Sequence, residues 1–325
     1  MSKSIAALVE KVLPPRVLRE ARGILADFWK DTPCTFPAIE LKLGPKKLSL
    51  PNILKPVPRV EAIMPAAALP AAPSACWHAQ PGELAEKMWG EGCMLPAADA
   101  IMEMLAAPLQ LNKEKSLIDF SAGLGGAMRK IAGRVDRIQG YDIDPAIAAR
   151  GMEMSAKAGK AKQAPIESFD PQNLSLPAMH DGALARELFY RVSDKGKLFY
   201  IISSALKPGG AVSFTDYIVD PENRDQPAIV AWQAYESMAQ PSGVIEMAEA
   251  WAKVGFVMHA SEDQTPLYRQ EVVKGINSYV AALKAAPPPD PETKKAILYE
   301  VELWIHRLAA IQQGMKFYRF FAAKS

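Results

Sequence analysis

The stretch SLIDFSAGLGGAMRKIAG at 116–133, followed closely by RIQGYDIDP at 137–145, decides the fold. An apolar run ends at Asp119, passes through the small residues Ser121, Ala122, Gly123, Gly125 and Gly126, and feeds a helix-forming segment. Glycines let backbone N–H groups approach a ligand, and the positive end of the following helix dipole faces the same space. The second run is a short strand closed by Asp142 and followed by another helix. A carboxylate at that point can accept hydrogen bonds from both ribose hydroxyls of a nucleoside. Asp142 lies 17 residues past Gly125, a spacing that suits two adjacent parallel strands. Asp144 fits the helix N-cap better than Asp142 does, because Pro145 follows it directly. The dinucleotide pattern GxGxxG needs a third glycine where Met128 stands, which disfavours NAD and leaves a nucleotide-dependent oxidoreductase as a weaker alternative.

Outward from this pair, helices and short apolar strands alternate from about residue 83, the pattern of an α/β fold. Strands are predicted at 116–120, 137–142, 161–166, 181–185, 211–217, 256–260 and 316–323. Helices are predicted at 96–109, 125–133, 145–158, 194–206, 225–239, 244–254, 269–284 and 292–312. LKPGG at 206–210 reads as a helix end turning into the next strand.

Before residue 83 the composition changes twice. Residues 1–50 hold two amphipathic helical stretches separated by Pro14-Pro15, and 51–82 form a connector rich in proline and alanine. Residues 1–60 carry 11 Lys/Arg against 5 Asp/Glu, so a basic leader precedes a mildly acidic body. Residues 1–30 suit packing on the main domain, a sister subunit or peripheral contact with membrane headgroups, and the pattern does not choose among them. Glu10 and Lys11 interrupt the first apolar stretch, so no secretory leader is expected. No run of about 18 apolar residues reads as a membrane span. Three scattered cysteines, Cys34, Cys76 and Cys93, suggest neither a disulfide framework nor a metal site, and a cytoplasmic location is expected. No basic stripe suggests nucleic acid.

With these motifs in place, the sequence resembles class I S-adenosylmethionine-dependent methyltransferases, nearest to the phosphoethanolamine N-methyltransferase group. The likeness runs through EKMWGEGCMLPAA (86–98), DFSAGLGG (119–126), GYDIDP (140–145), ARELFYRVSDK (185–195), LKPGGAVSFTDY (206–217) and MKFYRFFAAK (315–324). It implies a Rossmann-like sheet of seven strands with the last antiparallel, a helical roof from 225–312, and a methyltransferase domain over 83–325. S-adenosyl-L-methionine is the implied cofactor. The resemblance implies that Asp119, Ser121, Gly123 and Gly125 cradle its methionine end, Asp142 holds the ribose, Ile143 flanks the adenine and Ile166 meets the adenine edge. Ala185 and Arg186 would lie beside the methionine moiety and sulfonium.

The departures bear on the acceptor. Ser121 stands where the family has a glycine, Pro165 where an acid often receives the adenine amine, and Ala85 and Arg191 where the phosphobase enzymes place a Tyr–His pair. Tyr217 is the main survivor of the phosphate-binding set. The expected function is methyl transfer by in-line displacement to a small-molecule or lipid-like acceptor, with no metal required. Tyr217, Glu187 and Arg191 are the candidate acceptor-side residues, with Trp89 and Glu91 on the lead-in segment. The replaced pair motivates an alternative, a non-catalytic module binding nucleoside or a partner. His78, His259 and His306 are isolated and read as surface or core residues.

Overall fold

The computed structural model describes residues 82–285 and 290–325. The expectations for 1–50 and 51–81, including subunit or headgroup contact through 1–30, and Cys34, Cys76 and His78, lie outside the described residues.

In chain order the elements are α1 (Glu83–Trp89), α2 (Ala98–Ala106), β1 (Ser116–Asp119), α3 (Gly126–Ala132), β2 (Arg137–Asp142), α4 (Pro145–Lys157), β3 (Ile166–Ser168) and β4 (His180–Arg186). There follow α5 (Lys195–Ala205), β5 (Leu206–Ile218), α6 (Pro227–Tyr235), α7 (Val244–Ala252), β6 (Phe256–Asp263), α8 (Thr265–Ala285), α9 (Pro291–Gln312) and β7 (Lys316–Lys324). The strands form one sheet in the order β3-β2-β1-β4-β5-β7-β6. The first five are mutually parallel, and β7 runs antiparallel between β5 and β6. This is the class I methyltransferase sheet. The inserted antiparallel β7 separates it from the dinucleotide fold, whose strand order is 3-2-1-4-5-6.

Helices cover both faces, so the central strands carry apolar residues on both sides and read as continuous runs rather than alternations. Five of the seven β4 positions from Gly182 to Arg186 are buried in succession. On one face Ile118, Ala183, Leu198 and Ile202 pack with Trp251 and Phe214. On the other, Leu117 and Leu184 pack with Leu105 and Ile131, and that layer continues into the roof through Tyr217, Trp232, Tyr268 and Trp304.

Three segments differ from the sequence reading, each for a local reason. The chain at 161–165 is a turn, because Lys160 O accepts from both Gln163 N and Ala164 N, and the strand shortens to Ile166–Ser168. LKPGG is not a helix end. It is the bulged start of β5, where Leu206 pairs with His180 and Ala211 with Gly182. The helix α1 was not anticipated, although its apolar residues Leu84 and Met88 sit four apart on the buried face. Asp144 caps α4 as expected, accepting from Ala146 N at 2.8 Å and Ile147 N at 3.3 Å.

The roof meets α1 through one tight contact. An ideal Cβ on Gly275 of α8 would lie 2.2 Å from Trp89 Cζ3, and the Trp89 ring also meets Trp304 edge-on with centroids 4.8 Å apart. Gly275→Ala is therefore expected to destabilise the protein by about 1–3 kcal/mol through overpacking, although alanine is the better helix former. Urea unfolding checks this, and the cost of Gly275→Ala should be much smaller when measured in a Trp89→Leu background.

Candidate functional site

The site is assembled at the carboxyl ends of β1, β2 and β4. The loop after β1 turns through Gly123 (φ 55°) and Gly125 (φ 77°), left-handed conformations that favour glycine. There is no room for a side chain at Gly125 either, since an added Cβ would sit 2.5 Å from Ile166 Cδ1. The loop and the β2 carboxylate meet directly: Gly123 N–H donates to Asp142 Oδ2 at 2.9 Å. Asp142 Oδ1 accepts from Asp144 N at 2.9 Å, so the carboxylate is aimed across the loop by two backbone donors. Burial raises the Asp142 carboxyl above its ordinary value, against those bonds and the Arg191 charge.

Ser121 ties the loop to β4. Its N–H and Oγ both approach Asp119 Oδ1, at 3.0 and 3.2 Å, and its Oγ accepts from Arg186 N at 2.6 Å. The residue that replaces a family glycine thus staples two strand ends together. Asp119 is 1% exposed. Burial pushes its carboxyl up to about 6, with the Ser121 bonds and the Arg186 charge acting the other way. The Arg186 guanidinium reaches Pro96 O at 3.4 Å, while its buried Nε has no hydrogen-bond partner.

A narrow cleft lies between this arrangement and the lead-in segment, lined by Cys93, Met94, Asp119, Ser121, Gly123 and Arg186 among others. The segment is fastened by Gly126 N–H to Gly92 O (2.9 Å), by Gly92 N–H to Glu86 Oε1 (2.6 Å) and by the Arg150–Glu86 ion pair. Sequence reasoning placed Trp89 and Glu91 of this segment near the acceptor and did not single out Met94. An ideal Cβ on Gly123 would lie 2.9 Å from Met94 Cγ, so Met94 closes over the loop.

The other candidates divide. Ala185 is fully buried in β4, and Ile143 is half-buried at the end of β2. Ile166 is 3% exposed and packs against the glycine loop, where β3 begins and pairs it with Gly140. Glu187 and Tyr217 are brought together through Tyr268, whose hydroxyl donates to Glu187 Oε1 at 2.8 Å and lies 2.7 Å from the Tyr217 hydroxyl. Glu187 has φ 51°, a left-handed conformation that costs of order 1–3 kcal/mol in a residue with a Cβ. Its carboxyl is raised by burial, against the charges of Arg307 and Arg186. Arg191 does not join that group. It is exposed in a 3₁₀ turn, and its charge bears on Asp142 instead. His306 stacks on Tyr235 and His259 packs near Phe321, so neither histidine shares the Asp119–Asp142 cleft.

Arg307 and Glu236 were missed. Arg307 reaches Glu236, the Tyr190 hydroxyl and, at 3.9 Å, Glu187 Oε2. A signal existed: Ile297, Glu300, Trp304, Arg307 and Leu308 share one buried stripe of α9, and two of them are charged. Among the described residues, no group of three or more His, Cys, Asp or Glu could hold a metal ion, and no helix is long and apolar enough to cross a membrane.

A family model described as a methyltransferase domain matches residues 94–260, just over half of the chain. The chain belongs to this methyltransferase family. Phosphoethanolamine N-methyltransferase 2 of Caenorhabditis elegans is 27% identical to it over 165 residues, which cover 48% of this chain and 36% of that protein. The structure of phosphoethanolamine N-methyltransferase 2 of Haemonchus contortus, in complex with phosphomonomethylethanolamine and S-adenosylhomocysteine, is similar with a TM-score of 0.63 and 22% identity. That match covers 74% of this chain and 56% of that one. Geranyl diphosphate C-methyltransferase from Streptomyces coelicolor A3(2) is similar with a TM-score of 0.54 and 18% identity, over 70% of this chain and 77% of that one. The match of this methyltransferase chain therefore spans about a third of the length of one phosphoethanolamine enzyme and just over half of the other.

Proposed function

We propose that the chain binds S-adenosylmethionine across the β1 loop and the end of β2, and transfers its methyl group to a small-molecule or lipid-like acceptor. The observation that carries this is the direct bond from Gly123 N–H to Asp142 Oδ2, which makes one cradle from two strand ends. The residues present fit the cofactor. Asp142 keeps lone pairs for two ribose hydroxyls, and Ile143 offers an apolar flank to the adenine. Asp119 suits the methionine ammonium, and the unpartnered Arg186 Nε suits its carboxylate. Bound there, S-adenosylmethionine supplies a methyl group already activated by its sulfonium. The chain's own task is to orient the acceptor and receive its proton. Glu187, kept in a raised range and with one oxygen free of hydrogen bonds, is the candidate proton acceptor. Tyr217 stays protonated and orients it through Tyr268.

Isothermal titration with S-adenosylmethionine, followed by S-adenosylhomocysteine release over a panel of hydroxyl, amine and lipid acceptors, tests the reading. Absence of binding by the wild-type chain would sink it.

A pH dependence follows from Asp119. Its carboxyl sits at about 6 in the free protein, and a bound ammonium would lower it. The dissociation constant is therefore expected to be flat above about pH 7 and to rise roughly tenfold per pH unit below 6. Stability of the free protein runs the opposite way for this group. Its contribution is present below the ordinary carboxylate range and is lost as pH rises through about 6. Titrations between pH 5 and 8 check the binding profile, which Asp119→Asn should flatten.

A further inference from the structure

Beside the transfer end lies a carboxylate held entirely by other side chains. Glu236, immediately after α6, accepts on Oε1 from Arg307 Nη2 at 2.7 Å and from the Tyr190 hydroxyl at 2.6 Å. On Oε2 it accepts from Arg307 Nε at 3.1 Å and from Trp232 Nε1 at 2.8 Å. Burial acts to raise this carboxyl, but the Arg307 charge and the Arg307 and Tyr190 bonds hold it at about 2. Four donors from three elements thus form an oxyanion cradle, and the protein fills it from within.

The cradle adjoins the site. Arg307 lies 5.4 Å from the Tyr217 ring centroid, and its Nη1 faces Glu187 Oε2 at 3.9 Å. Glu187 in turn follows Arg186, whose backbone N–H is held by Ser121. Among the described residues, Arg186 and Arg307 are the two buried arginine or lysine side chains. Arg307 is committed to Glu236, and Arg186 sits beside Asp119 and Pro96. An acceptor next to Glu187 would meet one carboxylate oxygen without a hydrogen bond and the rings of Tyr217, Tyr190 and Trp232. With Arg307 held by Glu236 and Arg186 assigned to the cofactor's carboxylate, it would meet no further buried cation among the described residues. A phosphate or carboxylate placed there would face two acids with one shared guanidinium, which is costly among side chains this buried.

We propose that Glu236 is a specificity-determining residue that occupies the anion cradle of Arg307, Tyr190 and Trp232, so that the acceptor carries no anionic group beside its nucleophile and presents an uncharged, apolar body. This rests on the methyl-transfer reading for its substrate half; the cradle itself does not depend on it.

The test uses the full chain and two probes. Glu236→Ala should lower the melting temperature. Formate should restore about half of that loss or more, by refilling the cradle through mass action, with no effect on the wild type. In the second arm, phosphoethanolamine and ethanolamine are titrated in the presence of S-adenosylhomocysteine into wild type and Glu236→Gln, which preserves side-chain volume. The wild type should favour phosphoethanolamine by no more than about twofold, and the variant should gain roughly tenfold for the phosphate compound alone. No rescue by formate, or a wild type that prefers phosphoethanolamine tenfold with the preference lost in Glu236→Gln, overturns the proposal. If S-adenosylmethionine fails to bind at all, the formate arm still reports on the cradle.

Discussion

Asp142→Ala is expected to weaken S-adenosylmethionine binding about a hundredfold or more. Hydrogen bonds to a charged group contribute about 1.5–3 kcal/mol each, and the ribose would lose two. The loop would suffer as well, because Gly123 N–H and Asp144 N–H both donate to this carboxylate. Asp142→Asn keeps one oxygen and should lose less. Isothermal titration at pH 7.5, with circular dichroism to verify the fold, measures the effect. An affinity equal to the wild type would place the ribose elsewhere.

Arg307→Met is expected to cost about 3–5 kcal/mol of stability, because Glu236 would be left as a buried, uncompensated anion. The Arg307 side chain is 7% exposed and its partner 14%. Arg307 also links α9 to the 3₁₀ turn through Tyr190 and packs 4.7 Å from the Trp304 ring centroid. Urea unfolding of Arg307→Met, Glu236→Leu and the double variant separates the contributions. The double variant should recover most of the loss, since removing both charges leaves no orphan. A double variant no better than Arg307→Met would mean that shape, not charge, is what Arg307 provides.

The meeting of the glycine loop with Asp142, the proposed cofactor half of the site, was legible because its determinants are local. A strand end, a glycine loop and a second strand end all lie within 119–142, and parallel pairing of β1 with β2 brings them side by side. The order and type of the later elements were legible for the same reason, since each carries its own apolar periodicity. Lys160–Pro165 misled because its residues suit a strand, yet the chain had to turn there after α4. LKPGG misled because a Pro-Gly-Gly run reads as punctuation, whereas a parallel strand can absorb it as a bulge.

The proposed acceptor side was far less legible. Glu187, Tyr217, Glu236, Tyr268 and Arg307 come from five places in the chain and meet only when the roof closes on β4 and β5. A glutamate at a helix end and an arginine on a long helix each read as solvated charge. Only the charged residues on the apolar stripe of α9 hinted otherwise. Arg191 shows the converse: aligned with a family histidine, it was expected in the pocket, but the turn at Phe189–Arg191 leaves it exposed.

The most direct measurement is amide hydrogen exchange of the full chain with and without S-adenosylhomocysteine. Slowed exchange is expected together in the peptides covering 119–126 and 140–145, with the lead-in segment around Met94 following. Binding that protects neither peptide, or protects the loop and leaves 140–145 unchanged, would contradict a shared adenosyl site at Gly123 and Asp142.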